Sequence, residues 1–123
     1  MRRLGALLTI LLLTGYALAE HSHRVLPAPT GLTATPGNAK VSLRWTESKG
    51  AGWYRVKRAR TSGGPYRHIA STRHTSFTDF WLTNGKTYYY VVSAATWEKH
   101  SDNSAEVSAT PGGSVKTLRP RTD

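Results

Sequence analysis

The sequence predicts an all-β protein, an antiparallel sandwich of seven strands, and three observations predict it. Segments such as KVSLRWTE at 40–47 and the run at 86–95 alternate with the two-residue period of a half-buried strand. Clusters of Gly, Pro, Asn and Ser interrupt the chain at short, regular spacing, as turns between short strands do. Nowhere do apolar residues keep helical spacing for more than two turns, which argues against any strand-helix-strand unit. The chain has 123 residues, enough for one small domain and too few for a multidomain enzyme.

In chain order, residues 1–19 carry Arg2 and Arg3, an apolar run at 4–13 and the small-residue end Ala17-Leu18-Ala19, the pattern a signal peptidase reads. That apolar run is about ten residues where a membrane span needs roughly 20, so cleavage is expected and the mature chain, starting near Glu20, is expected to lack a transmembrane anchor. Residues 20–28 read as a flexible lead-in, with order beginning near Pro29. A first strand is expected at 31–35, stopped by Pro36-Gly37-Asn38. In the strand at 40–47, Val41, Leu43 and Trp45 face one way and Ser42, Arg44 and Thr46 the other. After a turn at 48–52, the strand at 53–59 sets Tyr54 and Val56 against Arg55 and Lys57.

Thr61-Ser62-Gly63-Gly64-Pro65 breaks that strand, and shorter ones follow at 66–71 and 76–79 with Ile69 and Phe77 inward. Asn84-Gly85 marks a tight turn. The strand at 86–95 is expected to be the longest, with Tyr88, Tyr90, Val92 and Ala94 on one face and Tyr89, Val91 and Ser93 on the other. Residues 105–110 close the set with Val107 and Ala109 inward. The ordered domain is therefore expected at 29–111, followed by a disordered tail at 112–123.

Seven strands in this length match an immunoglobulin-like sandwich, and four stretches carry a closer likeness: PAPTGLTATPGNAKVSLRWT, WYRVKRARTSGGPYRHIA, TSFTDFWLTNGKTYYYVVSA and SAEVSATP. Together they resemble a fibronectin type III domain, nearly without gaps from Pro27 to Pro111. The wording is similar to the bacterial branch of that family, whose modules sit in secreted or surface proteins, often beside polysaccharide-acting domains. The resemblance implies Greek-key topology with Trp45 in the core; alternation places Tyr54, Val56 and Tyr90 on inward faces, and Leu82 is expected in the core with them. The resemblance also implies that Tyr88 forms the tyrosine corner, its hydroxyl bonding back to upstream backbone. Phe80 and Trp81 depart from the family pattern before Leu82, where small or turn-forming residues are usual. Trp97, Lys99 and His100 depart from it in the loop between the last two strands, and the Arg-Gly-Asp tripeptide is absent.

Candidate chemistry is sparse. With no cysteine there is no disulfide, thiolate site or thiol nucleophile. Acidic residues are few, and Asp79 and Glu106 are expected at strand-end or outward positions without a second carboxylate nearby in sequence, so neither glycoside hydrolysis nor other catalysis is expected. Among the five histidines only His21 and His23 are close in sequence, and they read as part of the polar lead-in; no metal or cofactor is expected.

The basic excess is the stronger feature. Lys plus Arg is 17 and Asp plus Glu is 7; without Arg2 and Arg3 the mature chain keeps 15 against 7, or +8. Arg55 and Lys57 are expected beside Tyr89 and Val91 on one exposed sheet face, with Arg58 and Arg60 toward its edge and Arg67, His68 and Arg73 near it. Such a face attracts polyanions with an affinity that falls as salt rises, or simply keeps the protein soluble. Nucleic acid is not the partner expected outside the cell. Of the four tryptophans, Trp53 and Trp81 are expected to pack, whereas Trp97, with Lys99 beside it, is the leading surface anchor. The sequence thus points to a secreted or periplasmic, non-enzymatic binding or adhesion module for a protein or an acidic or neutral polysaccharide; the alternative is a structural spacer or accessory subunit of a larger assembly.

Overall fold

A computed structural model describes residues 25–113. The expected leader, the start of the lead-in and the tail from residue 114 lie outside the described residues. The strands are β1 (Thr30–Gly37), β2 (Lys40–Thr46), β3 (Trp53–Ala59), β4 (Arg67–Thr72), β5 (Ser76–Asp79), β6 (Tyr88–Ala95) and β7 (Val107–Ala109). They form two antiparallel sheets, ordered β1-β2-β5 and β4-β3-β6-β7. The chain crosses between sheets after β2, β4 and β5, a Greek-key winding of an immunoglobulin-like sandwich.

Alternation fills the space between the sheets. Val41, Leu43 and Trp45 of β2 meet Tyr54 and Val56 of β3 and Tyr88, Tyr90, Val92 and Ala94 of β6, with Leu26, Leu32, Leu82 and Ala109 closing the ends. Ile69, Phe77 and Val107, also expected inward, are partly buried and pack against this cluster. Trp45 and Tyr54 meet edge to face, ring centroids 5.5 Å apart at 67°. The Tyr54 hydroxyl accepts a hydrogen bond from the Ser48 N–H at 2.9 Å, which ties the 48–52 turn to the core. The Tyr88 hydroxyl accepts one from the Thr83 N–H at 3.0 Å, the tyrosine corner that the resemblance implied.

Several expectations need correction. Residues 25–28 belong to the packed module: Leu26 is buried, its N–H reaches the His100 carbonyl, and the Pro27 carbonyl accepts from the Ser48 hydroxyl at 2.6 Å. β1 runs on through Pro36 to Gly37, and the turn is Asn38-Ala39; β1 is an edge strand, where the missing N–H of proline costs no ladder bond. β6 begins at Tyr88 and equals β1 in length, and β7 is only three residues long.

Val91 and Ser93 are buried although they face outward. Arg55 and Lys57 lie opposite Ser93 and Val91, so long basic stems flank them. Beyond β7, Ser104 and Ser101 run along the free edge of β6. The Ser104 N–H donates to the Val92 carbonyl at 2.8 Å and its hydroxyl accepts from the Val92 N–H at 2.9 Å. Ser101 does the same with Ala94, at 2.9 and 2.8 Å. Two serine hydroxyls thus stand in for strand carbonyls and close the ladder where β7 is too short to do so.

Finally, Asp79 stands at a strand end as expected but does not face outward. It ends β5 facing inward, 6% exposed, under the guanidinium of Arg58. Among the described residues no helix is long and apolar enough to cross a membrane.

Candidate functional site

The basic residues that the sequence gathers on one face separate into three places. Arg55, Lys57 and Tyr89 do lie on the outer face of the four-stranded sheet, with His68. Lys57 is half-buried and its ammonium donates to Asn103 Oδ1 at 2.6 Å. Burial, with Arg55 as a lesser cause, holds its pKa below the ordinary lysine value. It therefore serves partly to anchor the 100–105 segment.

Arg58 points the other way. β3 pairs with β6 without a register shift, so Arg58, opposite Tyr90, shares the inward side with Tyr54 and Val56. Its Nη1 donates to both oxygens of Asp79, at 3.0 and 2.9 Å, across the two sheets. The Tyr90 hydroxyl donates to the same carboxylate at 2.7 Å. Burial first, then that bond and the charge of Asp79, push the Tyr90 pKa far up, so the hydroxyl stays a donor. Arg60 follows two residues on, its guanidinium 5.0 Å from the centre of the Tyr88 ring.

At the opposite end of the sandwich two tryptophans meet. β3 and β6 pair with Trp53 opposite Ala95, so a residue two positions beyond Ala95 falls next to Trp53. That residue is Trp97. It stands on a tight turn in which the Thr96 N–H bonds the Lys99 carbonyl at 2.8 Å, and the Thr96 hydroxyl accepts from the N–H of Glu98 and of Lys99, at 3.2 and 2.9 Å. The rings lie edge to face, centroids 5.0 Å apart at 65°. With Ser71, Thr72 and Arg73 they wall an open cleft of about 390 Å³. Trp97 is 91% exposed and Trp53 only partly covered. Lys99 turns to a second groove, beside Val25, Leu26 and Lys49. The expectation that Trp53 simply packs is thus incomplete; the pairing of β3 with β6 was the missing signal.

Trp81 is a plain correction. It is 94% exposed with a positive φ of 62°, next to Phe80 at 56% exposure. Leu82 takes the inward site instead, its N–H bonded to the Ala39 carbonyl at 2.9 Å, and the backbone turns Trp81 outward to let it do so.

Glu106 lies at the surface and organises the loop between β3 and β4. Its carboxylate accepts from the Tyr66 hydroxyl, from the Gly63 N–H at 2.8 Å and from the Ser62 hydroxyl at 2.7 Å. These bonds, that of Tyr66 first, hold its pKa below the ordinary carboxylate value. A depressed folded pKa means that the loop is fully held above the ordinary value of 4.5 and released as pH falls below it. The amide shifts of Ser62 and Gly63 should therefore titrate together below that pH, and an E106Q chain should lose the titration. Among the described residues no three side chains of metal-ligating type converge.

The two sheets, the seven strands and the tyrosine corner define an immunoglobulin-like sandwich. A crystal structure of an Fn3-like protein from Clostridium thermocellum is 39% identical to this chain, covers 69% of it and 92% of that protein, and superposes with a TM-score of 0.62. This chain belongs to the fibronectin type III family. A β-1,2-glucanase from Parabacteroides distasonis has a similar part, 29% identical with a TM-score of 0.67, over 76% of this chain and 14% of the glucanase. An amylopullulanase of Thermoanaerobacterium saccharolyticum is 45% identical over 67 residues, or 54% of this chain. The match spans only 5% of that enzyme's length. No family model matches the chain.

Proposed function

We propose that the chain is an extracytoplasmic, non-enzymatic binding module whose Trp53–Trp97 cleft holds a neutral glycan. The observation that carries this reading is the pair of indole rings at 65°, one of them 91% exposed on a turn fixed by three hydrogen bonds. A rigid, exposed aromatic wall offers flat apolar area to the C–H face of a sugar ring at low conformational cost. Arg73, Ser71 and Thr72 supply polar groups to ring hydroxyls on the other side of the cleft. The cleft volume is within the roughly 300–1,000 Å³ range of small-ligand sites. Similarity to parts of an amylopullulanase and a β-1,2-glucanase supports a glycan as the partner, and the leader pattern at 1–19 supports a secreted or periplasmic location.

Titration of tryptophan fluorescence with linear α- and β-glucan oligosaccharides tests this. Saturable quenching is expected, and Trp97→Ala should weaken it by about tenfold or more, the usual loss for a truncated aromatic anchor, with an unchanged melting temperature. Equal binding by the variant, or no quenching with any oligosaccharide, would remove the cleft from consideration. A second reading, an accessory subunit docking on a larger protein, draws on Phe80 and Trp81, exposed side by side at the other end.

A further inference from the structure

We infer that Arg58, Arg60 and Arg67 form a second site, independent of the tryptophan cleft, that binds an oxyanion: a sulfate, phosphate or carboxylate group. The three guanidinium-bearing residues line a cleft of about 310 Å³ with Ala59, Thr61 and Pro65, where β3 ends and β4 begins. This is the end of the sandwich opposite Trp53, since β3 runs from Trp53 to Ala59.

Three features separate this cluster from basic residues that only keep a surface soluble. First, Arg58 and Arg67 are direct partners in the β3–β4 register, a placement of like charges that works against pairing. Second, two of the three side chains are fixed in place. Arg58 is held by Asp79, and Arg58 and Arg60 both lie on the Tyr88 ring, 5.7 and 5.0 Å from its centre. Third, the charge is unbalanced. Asp79 neutralises one guanidinium, and among the described residues neither Arg60 nor Arg67 has a carboxylate partner. Glu106, which holds the loop between them, is committed to Ser62, Gly63 and Tyr66.

The charges of Arg60 and Arg58 also reach the neighbouring Tyr88 hydroxyl, as lesser causes beside its hydrogen bonding to Thr83. Burial pushes the Tyr88 pKa up, yet the Thr83 N–H and the charges of Arg60 and Arg58 outweigh it and leave the value below that of an ordinary tyrosine. A cleft with two uncompensated guanidinium forks and the Thr61 hydroxyl suits a group with several acceptor oxygens, because each fork can meet two of them.

The test is an NMR titration of the arginine Nε–Hε signals with sodium sulfate, sodium phosphate and sodium glucuronate, chloride holding ionic strength constant. Saturating shifts at Arg60 and Arg67, with Arg55 and Arg73 unmoved, are the expected result. The anion that saturates first identifies the source as a sulfate ester, a phosphate or a uronate. R60Q/R67Q should lose at least about tenfold in affinity. R67Q alone, at an exposed position outside the Asp79 network, should lose several-fold with an unchanged melting temperature, which separates lost binding from lost folding. Shifts spread evenly over all arginines, or binding that survives in R60Q/R67Q, would overturn the inference. Trp97→Ala should leave these titrations untouched, so the two sites stand or fall separately.

Discussion

Asp79→Ala is expected to destabilise the fold by about 3 kcal/mol, the lower end of the roughly 3–5 kcal/mol found when one partner of a buried pair is removed. The lower end applies because the Arg58 side chain retains 27% of its exposure and water can reach part of the stranded charge. The Tyr90 hydroxyl, on a fully buried side chain, would also lose its acceptor. Urea unfolding followed by tryptophan fluorescence measures the loss. Asp79→Asn, which keeps an oxygen for Tyr90 but not the charge, should cost distinctly less. If both variants unfold with the wild-type midpoint, the cross-sheet pair contributes nothing net.

Trp45→Ala is expected to cost about 3–5 kcal/mol, as for large aromatic truncations in a packed core. Trp45 is 5% exposed and sits between the sheets against Tyr54. Among the described residues its indole N–H, though buried, has no hydrogen-bond partner. Trp45→Phe should therefore cost much less than Trp45→Ala, because it removes an unpaired donor while keeping most of the apolar contact. A thermal melt of the two variants separates the contributions. A native-like midpoint for Trp45→Ala would contradict its core position, and a Phe variant as damaged as Ala would show that indole shape governs the site.

What could be read in the sequence follows from the range of each signal. Alternation is a property of one strand, so KVSLRWT placed Val41, Leu43 and Trp45 inward without reference to anything else. The same rule put Tyr88, Tyr90, Val92 and Ala94 inward. Turn chemistry is equally local, and it located Asn84-Gly85, though it stopped β1 too soon because Pro36 looks like a breaker unless its strand is known to be an edge.

Cross-strand facts were out of reach. Asp79 and Arg58 are 21 residues apart, and nothing near either one announces that β5 will close over β3. Trp53 and Trp97 become one wall only when Ala95 is placed opposite Trp53. The outward burial of Val91 and Ser93 depends on the basic stems of β3 and on two serines that imitate strand carbonyls.

The sequence by itself therefore determined the class of fold, the core residues and the presence of a large positive charge. Those depend on composition and on periodicity within a segment. Tertiary structure alone decided that this charge is split among an outer face, a cross-sheet ion pair and an arginine cleft, and that the aromatic cleft lies at the far end from the last of these. Such arrangements rest on strand register and on the crossing of the chain between sheets, where contacts join residues whose separation along the chain carries no local signal.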